Sequence, residues 1–323
     1  MTIEEIKSNL TNDKDKNVAY LRSLLEEHSK DNEVYQAIRE LILQNLDEQT
    51  IKKYSAEMKD PRLFCEAKFD DIHKYIKNFQ YDKAEKITFE IIDFMNVYLK
   101  TVNRTCLNFN NVIEFIFYIN KYKPKNSVEW TTIDVSHAYF LLGHIAIERK
   151  EYDKALNYYN KSIEFNPVNT KSMFTKLTIY QILKDEENFN KELNTLYNNI
   201  IFPDDLARYY RTIGYKFVEE EKYIEGCCCY IYSLKYEKSD IAFNELNYIL
   251  SKTKNIDLSN IDALDILTKN NIPLMIPNEN LVILHSIVSN EKLNCGMENL
   301  INTINNMLNI FINGVDDENN KNE

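Results

Sequence analysis

Three adjacent cysteines are the most conspicuous candidates for chemistry in this sequence. Cys227, Cys228 and Cys229 stand side by side in a chain that has six cysteines. Thiolates can bind metal ions, but successive residues of a helix project about 100° apart, so three in a row cannot ligate one ion together. We therefore interpret them as small apolar side chains in a packed interior. The alternative is a reactive thiol on an exposed helix face.

The histidines and the short motifs add little further chemistry. His137 and His144 are seven residues apart, roughly two helical turns, which is too far for a shared metal without additional ligands. The sequence contains neither the glycine-rich dinucleotide pattern nor a phosphate-binding loop, and no nucleophile elbow surrounds a serine. We therefore predict no enzymatic activity, no cofactor and no metal site.

Charge and hydropathy exclude several further classes of protein. A net charge of -11 argues against general nucleic-acid binding, which depends on lysine and arginine at phosphates. No apolar run approaches the roughly 20 residues that a membrane-spanning helix needs. The N-terminus lacks the basic start and apolar core of a secretory signal. These features predict a cytoplasmic protein whose cysteines stay reduced.

The elements that carry these residues are predicted to be helices. The chain has only five glycines and six prolines, whereas 44% of its residues are apolar. Few turn-forming residues and many apolar ones are typical of long helices joined by short connections. The sequence therefore predicts an all-α fold.

An internal repeat organises these helices. Three segments share a tyrosine followed three residues later by a small residue: Tyr81 and Ala84, Tyr152 and Ala155, Tyr223 and Gly226. The tyrosines are 71 residues apart in both intervals. Gly143 and Gly214 each precede the small residue of their segment by twelve positions. We expect small residues on paired helices to meet, because only small side chains allow a close approach.

This pattern resembles the tetratricopeptide repeat, a helix-turn-helix unit of 34 residues. The best copy is Ser136 to Asn169, with these residues at the pattern positions: Tyr139, Leu142, Gly143, Ala155, Tyr159 and Pro167. A second copy runs from Ala207 to about Asp240 without the closing proline, and a third lies near Cys65 to Leu99. The interval of 71 residues leaves room for a degenerate unit between each pair, and Thr170 to Ile200 fits one such slot.

The resemblance implies an all-α helix-turn-helix solenoid, a right-handed superhelix with degenerate capping helices at both ends. The predicted division has four parts: an N-terminal cap or degenerate repeats (1–60), the solenoid (61–254), C-terminal helices (255–314) and a disordered acidic tail (315–323). Within the solenoid, the connector Asn120 to Thr132 contains Pro124 and is expected to be an exposed loop. Its Trp130 is expected to anchor that loop on the core; the alternative is that it recognises a ligand.

The resemblance also implies a binding surface. In this family the first helix of each unit lines a concave groove that binds peptides or helices, mainly through unit positions 2, 5, 9 and 12. Carried over to this sequence, those positions give the predicted peptide-binding groove: His137, Phe140, His144, Lys171, Phe174, Arg208, Arg211 and Tyr215. The two arginines, one turn apart, could hold a carboxylate; alternatively they pair with nearby acidic residues. Position 9 holds His144, Thr178 or Tyr215 instead of asparagine, so the family's chaperone-binding role is not expected.

Three functional hypotheses follow. The first is a non-enzymatic interaction module or scaffold that binds a peptide or helix of a partner protein. The second is a peptide-sensing regulatory protein of the bacterial repeat type, which needs a DNA-binding helix-turn-helix or an effector-binding bundle in residues 1–60. The acidic sequence there argues against DNA contact. The third is an enzyme, and no residue pattern supports it. Protein partners are expected, nucleic acid and membranes are not, and the sequence leaves the oligomeric state open.

Overall fold

A computed structural model of the chain describes residues 1–28, 32–57, 59–99, 104–253, 261–290 and 297–315. The helices and strands, in chain order, are α1 (Ile3–Ser8), α2 (Lys14–Glu26), α3 (Glu33–Asn45), α4 (Glu48–Glu57), α5 (Pro61–Lys77), α6 (Tyr81–Tyr98), β1 (Thr105–Leu107), α7 (Val112–Tyr122), β2 (Val128–Trp130), α8 (Val135–Glu148), α9 (Tyr152–Phe165), α10 (Thr170–Leu183), α11 (Glu186–Asn199), α12 (Pro203–Glu219), α13 (Tyr223–Ser233), α14 (Asp240–Lys252), α15 (Ala263–Lys269), α16 (Asn278–Val288) and α17 (Glu298–Asn313). The all-α helical-repeat prediction is confirmed.

The chain divides into two compact units. Unit 1 comprises Met1–Phe115 and Lys123–Ile179, and unit 2 comprises Ile116–Tyr122 and Tyr180–Glu323. The predicted division into four segments stays a prediction. Of the predicted acidic tail, residues 316–323 lie outside the described residues, as does Cys295.

The same turn ends the first helix of four successive hairpins. The residues at these turns have positive φ: Phe79 at 57°, Lys150 at 61°, Lys184 at 56° and Glu221 at 60°. In each case the N–H of the next residue donates to the carbonyl five positions before it, at 2.8 or 2.9 Å, as Glu151 does to Ala146. This left-handed C-cap satisfies carbonyls that the helix end leaves unpaired. The hairpins α5–α6, α8–α9, α10–α11 and α12–α13 thus share one local geometry.

None of these turn positions is a glycine, which makes one of them a site for a stabilising substitution. Lys150→Gly should raise the free energy of unfolding by about 1 kcal/mol, because a side chain at positive φ costs about that much. Glu148→Gly, within helix α8, should instead lower it by about 1 kcal/mol. Urea denaturation followed by circular dichroism measures both. A loss of stability in the Lys150 variant would contradict the left-handed turn.

Small residues lie where paired helices approach each other. A Cβ on Gly143 in α8 would lie 2.7 Å from Cζ of Tyr159 in α9. A Cβ on Gly214 in α12 would lie 3.1 Å from Cβ of Cys229 in α13. Ala155 on α9 is also fully buried. The predicted close helix contacts at Gly143 and Gly214 are therefore confirmed.

The interval between α6 and α8 departs from the expected repeat. The interval left room for a degenerate helix hairpin, and this prediction is wrong for the described residues 104–134, which contain β1, α7 and β2. The two strands are parallel, with Thr105 opposite Val128. The Asn108 amide supports them, because it donates to the carbonyls of Thr131 and Ile133 at 3.1 and 2.9 Å. A short strand pair thus replaces the second helix of a hairpin.

The prediction of an exposed loop over the whole connector Asn120 to Thr132 is accordingly wrong in part, because Val128–Trp130 is strand β2. Trp130 stacks on Phe115 with ring centroids 5.8 Å apart and meets the Phe109 ring edge-on at 6.1 Å. The expectation that Trp130 anchors this segment is confirmed. Strand pairing fixes the backbone and the aromatic contacts fix the indole.

Helices α1 to α4 belong to unit 1 and are attached to its repeats. Thr2 and Glu5 form a capping box at the start of α1, with hydrogen bonds of 2.7 and 3.3 Å. Arg22 of α2 forms an ion pair with buried Asp93 of α6. The buried ammonium of Lys161 in α9 donates to the carbonyl of His28. Polar contacts, in addition to apolar packing, therefore join the N-terminal helices to the repeats.

In unit 2, a set of tyrosines binds an extended segment of the same unit. Tyr197, Tyr210, Tyr232 and Tyr236 donate their hydroxyl groups to the carbonyls of residues 273–275, at 2.7 to 2.9 Å. The rings also contact one another: Tyr210 meets Tyr232 edge-on at 5.0 Å and stacks with Tyr236 at 5.8 Å. The phenol groups satisfy a backbone that has no helix or sheet partner there.

Candidate functional site

Aromatic and basic side chains from three first helices of unit 1 form one surface. The His137 ring of α8 lies 4.8 Å from Phe69 and 5.6 Å from His73, both on α5. Phe140 stacks near His137 at 6.1 Å, and Lys171 Nζ of α10 lies 4.4 Å from the Phe140 ring centroid. We call these five residues the unit 1 face. It presents aromatic area together with one ammonium group.

Phe69 and His73 were missed from the sequence. They occupy positions 5 and 9 of the copy that begins at Cys65, the positions that gave Phe140 and His144 in the best copy. This copy has Ile72 where the family pattern has glycine. Because of that departure, the groove positions were not assigned in this copy. The positional rule was the available signal, and applying it to every copy would have found both residues.

His137 is an uncharged member of the unit 1 face at neutral pH. Burial lowers the pKa of His137 to about 4, and the nearby His73 and Lys171 act in the same direction. A neutral imidazole can stack on aromatic rings and exchange hydrogen bonds. His137 therefore adds no positive charge to the face at neutral pH, whereas Lys171 does.

The remaining predicted residues of unit 1 have different surroundings. His144 is exposed on α8, one turn beyond Phe140. Phe174 is buried, with 2% of its surface exposed. Of these two residues, only His144 is accessible to a ligand.

The predicted residues of unit 2 lie along α12, and we call them the α12 face: Arg208, Arg211 and Tyr215. Arg208 and Tyr215 are exposed. Arg211 is largely buried and forms an ion pair with Glu237 at 2.7 Å. Pairing with an acidic residue was the alternative interpretation of the arginines, and for Arg211 the structure shows it, with Glu237 as the partner. A ligand carboxylate would have to compete with Glu237 for this guanidinium.

The three adjacent cysteines are fully buried within α13. Burial raises the pKa of Cys227, and it raises the pKa of Cys228 to about 12. Thiols in this state are poor nucleophiles because little thiolate forms. Among the residues that the structure describes, no group of three or more His, Cys, Asp or Glu side chains is placed to hold a metal ion. The interpretation of these cysteines as packed apolar side chains is confirmed.

The burial of these thiols predicts slow alkylation. Iodoacetamide at pH 7.5 should modify Cys227, Cys228 and Cys229 in the folded protein at least about tenfold more slowly than after denaturation, because both access and thiolate are lacking. Mass spectrometry of the peptide that contains them measures the rate. Rapid modification of two or more of the three in the folded protein would contradict this packing.

The chain was compared with known proteins. Residues 136–169 match the tetratricopeptide repeat family, over the same range as the best copy in the sequence. No curated protein matches the chain. The chain is therefore a protein that contains a tetratricopeptide repeat, a fold that generally serves protein interaction without catalysis. Within the described ranges, no helix is both long and apolar enough to cross a membrane.

Proposed function

We propose that this chain is a non-enzymatic interaction module or scaffold that binds a peptide or a helix of a partner protein on its first-helix faces. The unit 1 face carries the proposal, since aromatic rings from α5 and α8 and the ammonium of α10 are held in contact there. Aromatic side chains provide contact area at low entropic cost and are enriched among the residues that dominate interfaces. A surface of this composition suits a polypeptide with apolar and acidic side chains.

The α12 face supports the same proposal independently. Exposed Tyr215 gives it an aromatic ring, and Arg208, an exposed residue, gives it a guanidinium. A guanidinium binds a carboxylate through charge-assisted hydrogen bonds, which favours an acidic partner here too. We place this activity in the cytoplasm, with no role for nucleic acid or membranes.

Capture of partners by matched variants tests the proposal. Lys171→Glu changes the unit 1 face, Arg208→Glu changes the α12 face, and Lys191→Glu is an equal charge change on α11, a second helix where Lys191 is exposed. Partners captured by the parent protein from cells are quantified by mass spectrometry, and the affinity of a purified partner is then titrated. Each first-helix variant should bind that partner about tenfold more weakly, whereas Lys191→Glu should bind it normally.

The affinity should also fall as salt is added, because the proposed contacts involve exposed charges. Equal binding by all three variants and the parent would refute the assignment to the first-helix faces. Circular dichroism of each variant excludes unfolding as the cause of a loss, since exposed substitutions contribute little to stability.

A further inference from the structure

Unit 1 contains a cavity that the predicted groove residues do not account for. Its volume is about 710 Å³, and its walls include Arg62, Glu66 and Phe69 of α5, Phe109, Trp130, and Asp134 before α8. Phe69 also belongs to the unit 1 face, so the cavity and that face share this residue. A polypeptide lying on the face could therefore extend a side chain into the cavity.

One wall of the cavity is a positioned indole. Trp130 is paired through its backbone with Leu107 of β1, and Phe115 covers one of its ring faces. Even so, 41% of Trp130 remains exposed. A fixed, partly exposed indole is an aromatic surface suited to a cation, because the ring quadrupole is negative above and below the ring plane.

The charges around the cavity are unbalanced. Arg62 and Glu66 neutralise each other through an ion pair of 2.7 Å. Asp134 accepts a hydrogen bond of 2.9 Å from the His137 N–H. Glu114 lies near Asp134 and is hydrogen-bonded by the amides of Asn110 and Asn166.

No ion pair to Asp134 or Glu114 is found in the described part of the chain. Burial raises the pKa of Asp134, and the charge of Glu114 raises it further. Burial also raises the pKa of Glu114. Both carboxyl groups thus lack a cationic partner among the described residues, and a cation that entered the cavity would stabilise the ionised form of Asp134.

We propose that this cavity binds an arginine side chain of the partner polypeptide, with the guanidinium over the indole of Trp130 and paired with the Asp134 carboxylate. The planar guanidinium suits both contacts, since it stacks on aromatic rings and forms two parallel hydrogen bonds to a carboxylate. The inference rests on the proposed function, because it assumes a polypeptide on the unit 1 face. It adds that this polypeptide has a basic residue next to the segment that contacts Lys171.

Trp130 provides a direct measurement, because it is the only tryptophan in the chain. The full-length protein is titrated with acetyl-Ala-Arg-Ala-amide while tryptophan fluorescence is recorded. The arginine peptide should produce a saturable change. The same peptide with citrulline, which has the shape of arginine without its charge, should bind at least about tenfold more weakly. Equal responses to the two peptides, or no saturable response to arginine, would overturn the proposal.

Two variants with matched chemistry locate the site. Asp134→Asn removes the carboxylate but retains the cap of α8, since asparagine caps helices as well as aspartate does. It should weaken binding of the arginine peptide about tenfold. Asp153→Asn removes an exposed carboxylate from the first turn of α9 and should leave binding unchanged. Unchanged binding by the Asp134 variant would overturn the assignment.

The peptide titration separates this inference from the proposed function. If a partner is captured through Lys171 and Arg208 but the arginine peptide does not bind, only the cavity assignment fails. If the arginine peptide binds at Trp130 but Lys171→Glu and Arg208→Glu capture the partner as well as the parent protein does, the assignment to the first-helix faces fails. The assignment of the cavity then stands.

Discussion

Replacing Gly143 with leucine should lower the free energy of unfolding by about 3 kcal/mol or more. A Cβ at this position would already lie 2.7 Å from the Tyr159 ring, and leucine adds three further carbons. The ring has little room to move, because Tyr159 is fully buried and its ring also meets Phe140 edge-on at 5.5 Å. Helices α8 and α9 would have to separate. Thermal denaturation followed by circular dichroism should show a melting temperature lower by roughly 6 °C or more.

A neighbouring residue provides the matched control. His144→Leu introduces the same side chain one position later on α8, where His144 is exposed. Its effect should stay within about 0.5 kcal/mol, because an exposed position has no packing to disturb. Equal melting temperatures for the Gly143 and His144 variants would mean that α8 and α9 do not meet as the structure shows.

The pairing of helices was predictable from the sequence, because the small residues that permit it recur at fixed spacing. Gly143 and Gly214 are small for the same reason in their two copies, which is that paired helices approach closely there. The turns are different. Lys150 has positive φ without being a glycine, so the usual sequence signal of a left-handed C-cap is missing. That geometry follows from the helix pairing and not from residue preference.

The candidate site was only partly predictable. Position numbers identify which residues of a first helix point to one side, and they found His137 and Phe140 correctly as neighbours. They cannot tell whether a side chain at such a position is exposed, and Phe174 is buried. They also cannot find partners from outside the helix, such as Glu237 at Arg211. Strand β2, which positions Trp130, is three residues long and too short to give an alternating pattern.

The attachment of the N-terminal helices was the least predictable feature, since it depends on contacts distant in sequence. The Arg22 guanidinium lies over the Phe89 ring, 4.7 Å from its centroid, and pairs with Asp93. Asp93 is only 1% exposed. Nothing in the local sequence of either residue marks such a pair. Removal of the Arg22–Asp93 ion pair therefore tests most directly how α2 is attached to α6.

Arg22→Met should destabilise the protein by about 3 to 5 kcal/mol at pH 7, because it leaves the Asp93 carboxylate buried without a counter-charge. Burial already raises the pKa of Asp93, and Arg22 opposes that effect. In the variant the pKa of Asp93 should rise further. Above the pKa that Asp93 has in the unfolded chain, the folded state binds a proton that the unfolded chain releases. The free energy of unfolding therefore falls as the pH increases above that pKa. The loss of unfolding free energy caused by Arg22→Met should accordingly become smaller as the pH is lowered from 7 to 5.

Urea denaturation of a double-mutant cycle with Asp93→Asn isolates this interaction. The double variant should recover most of the stability that Arg22→Met loses, because the amide carries no charge to leave uncompensated. Lys52→Met breaks the exposed pair with Glu48 on α4 and should cost less than about 1 kcal/mol. If Arg22→Met cost no more than Lys52→Met, or if Asp93→Asn gave no recovery, then α2 would be held to α6 by its apolar side chains alone.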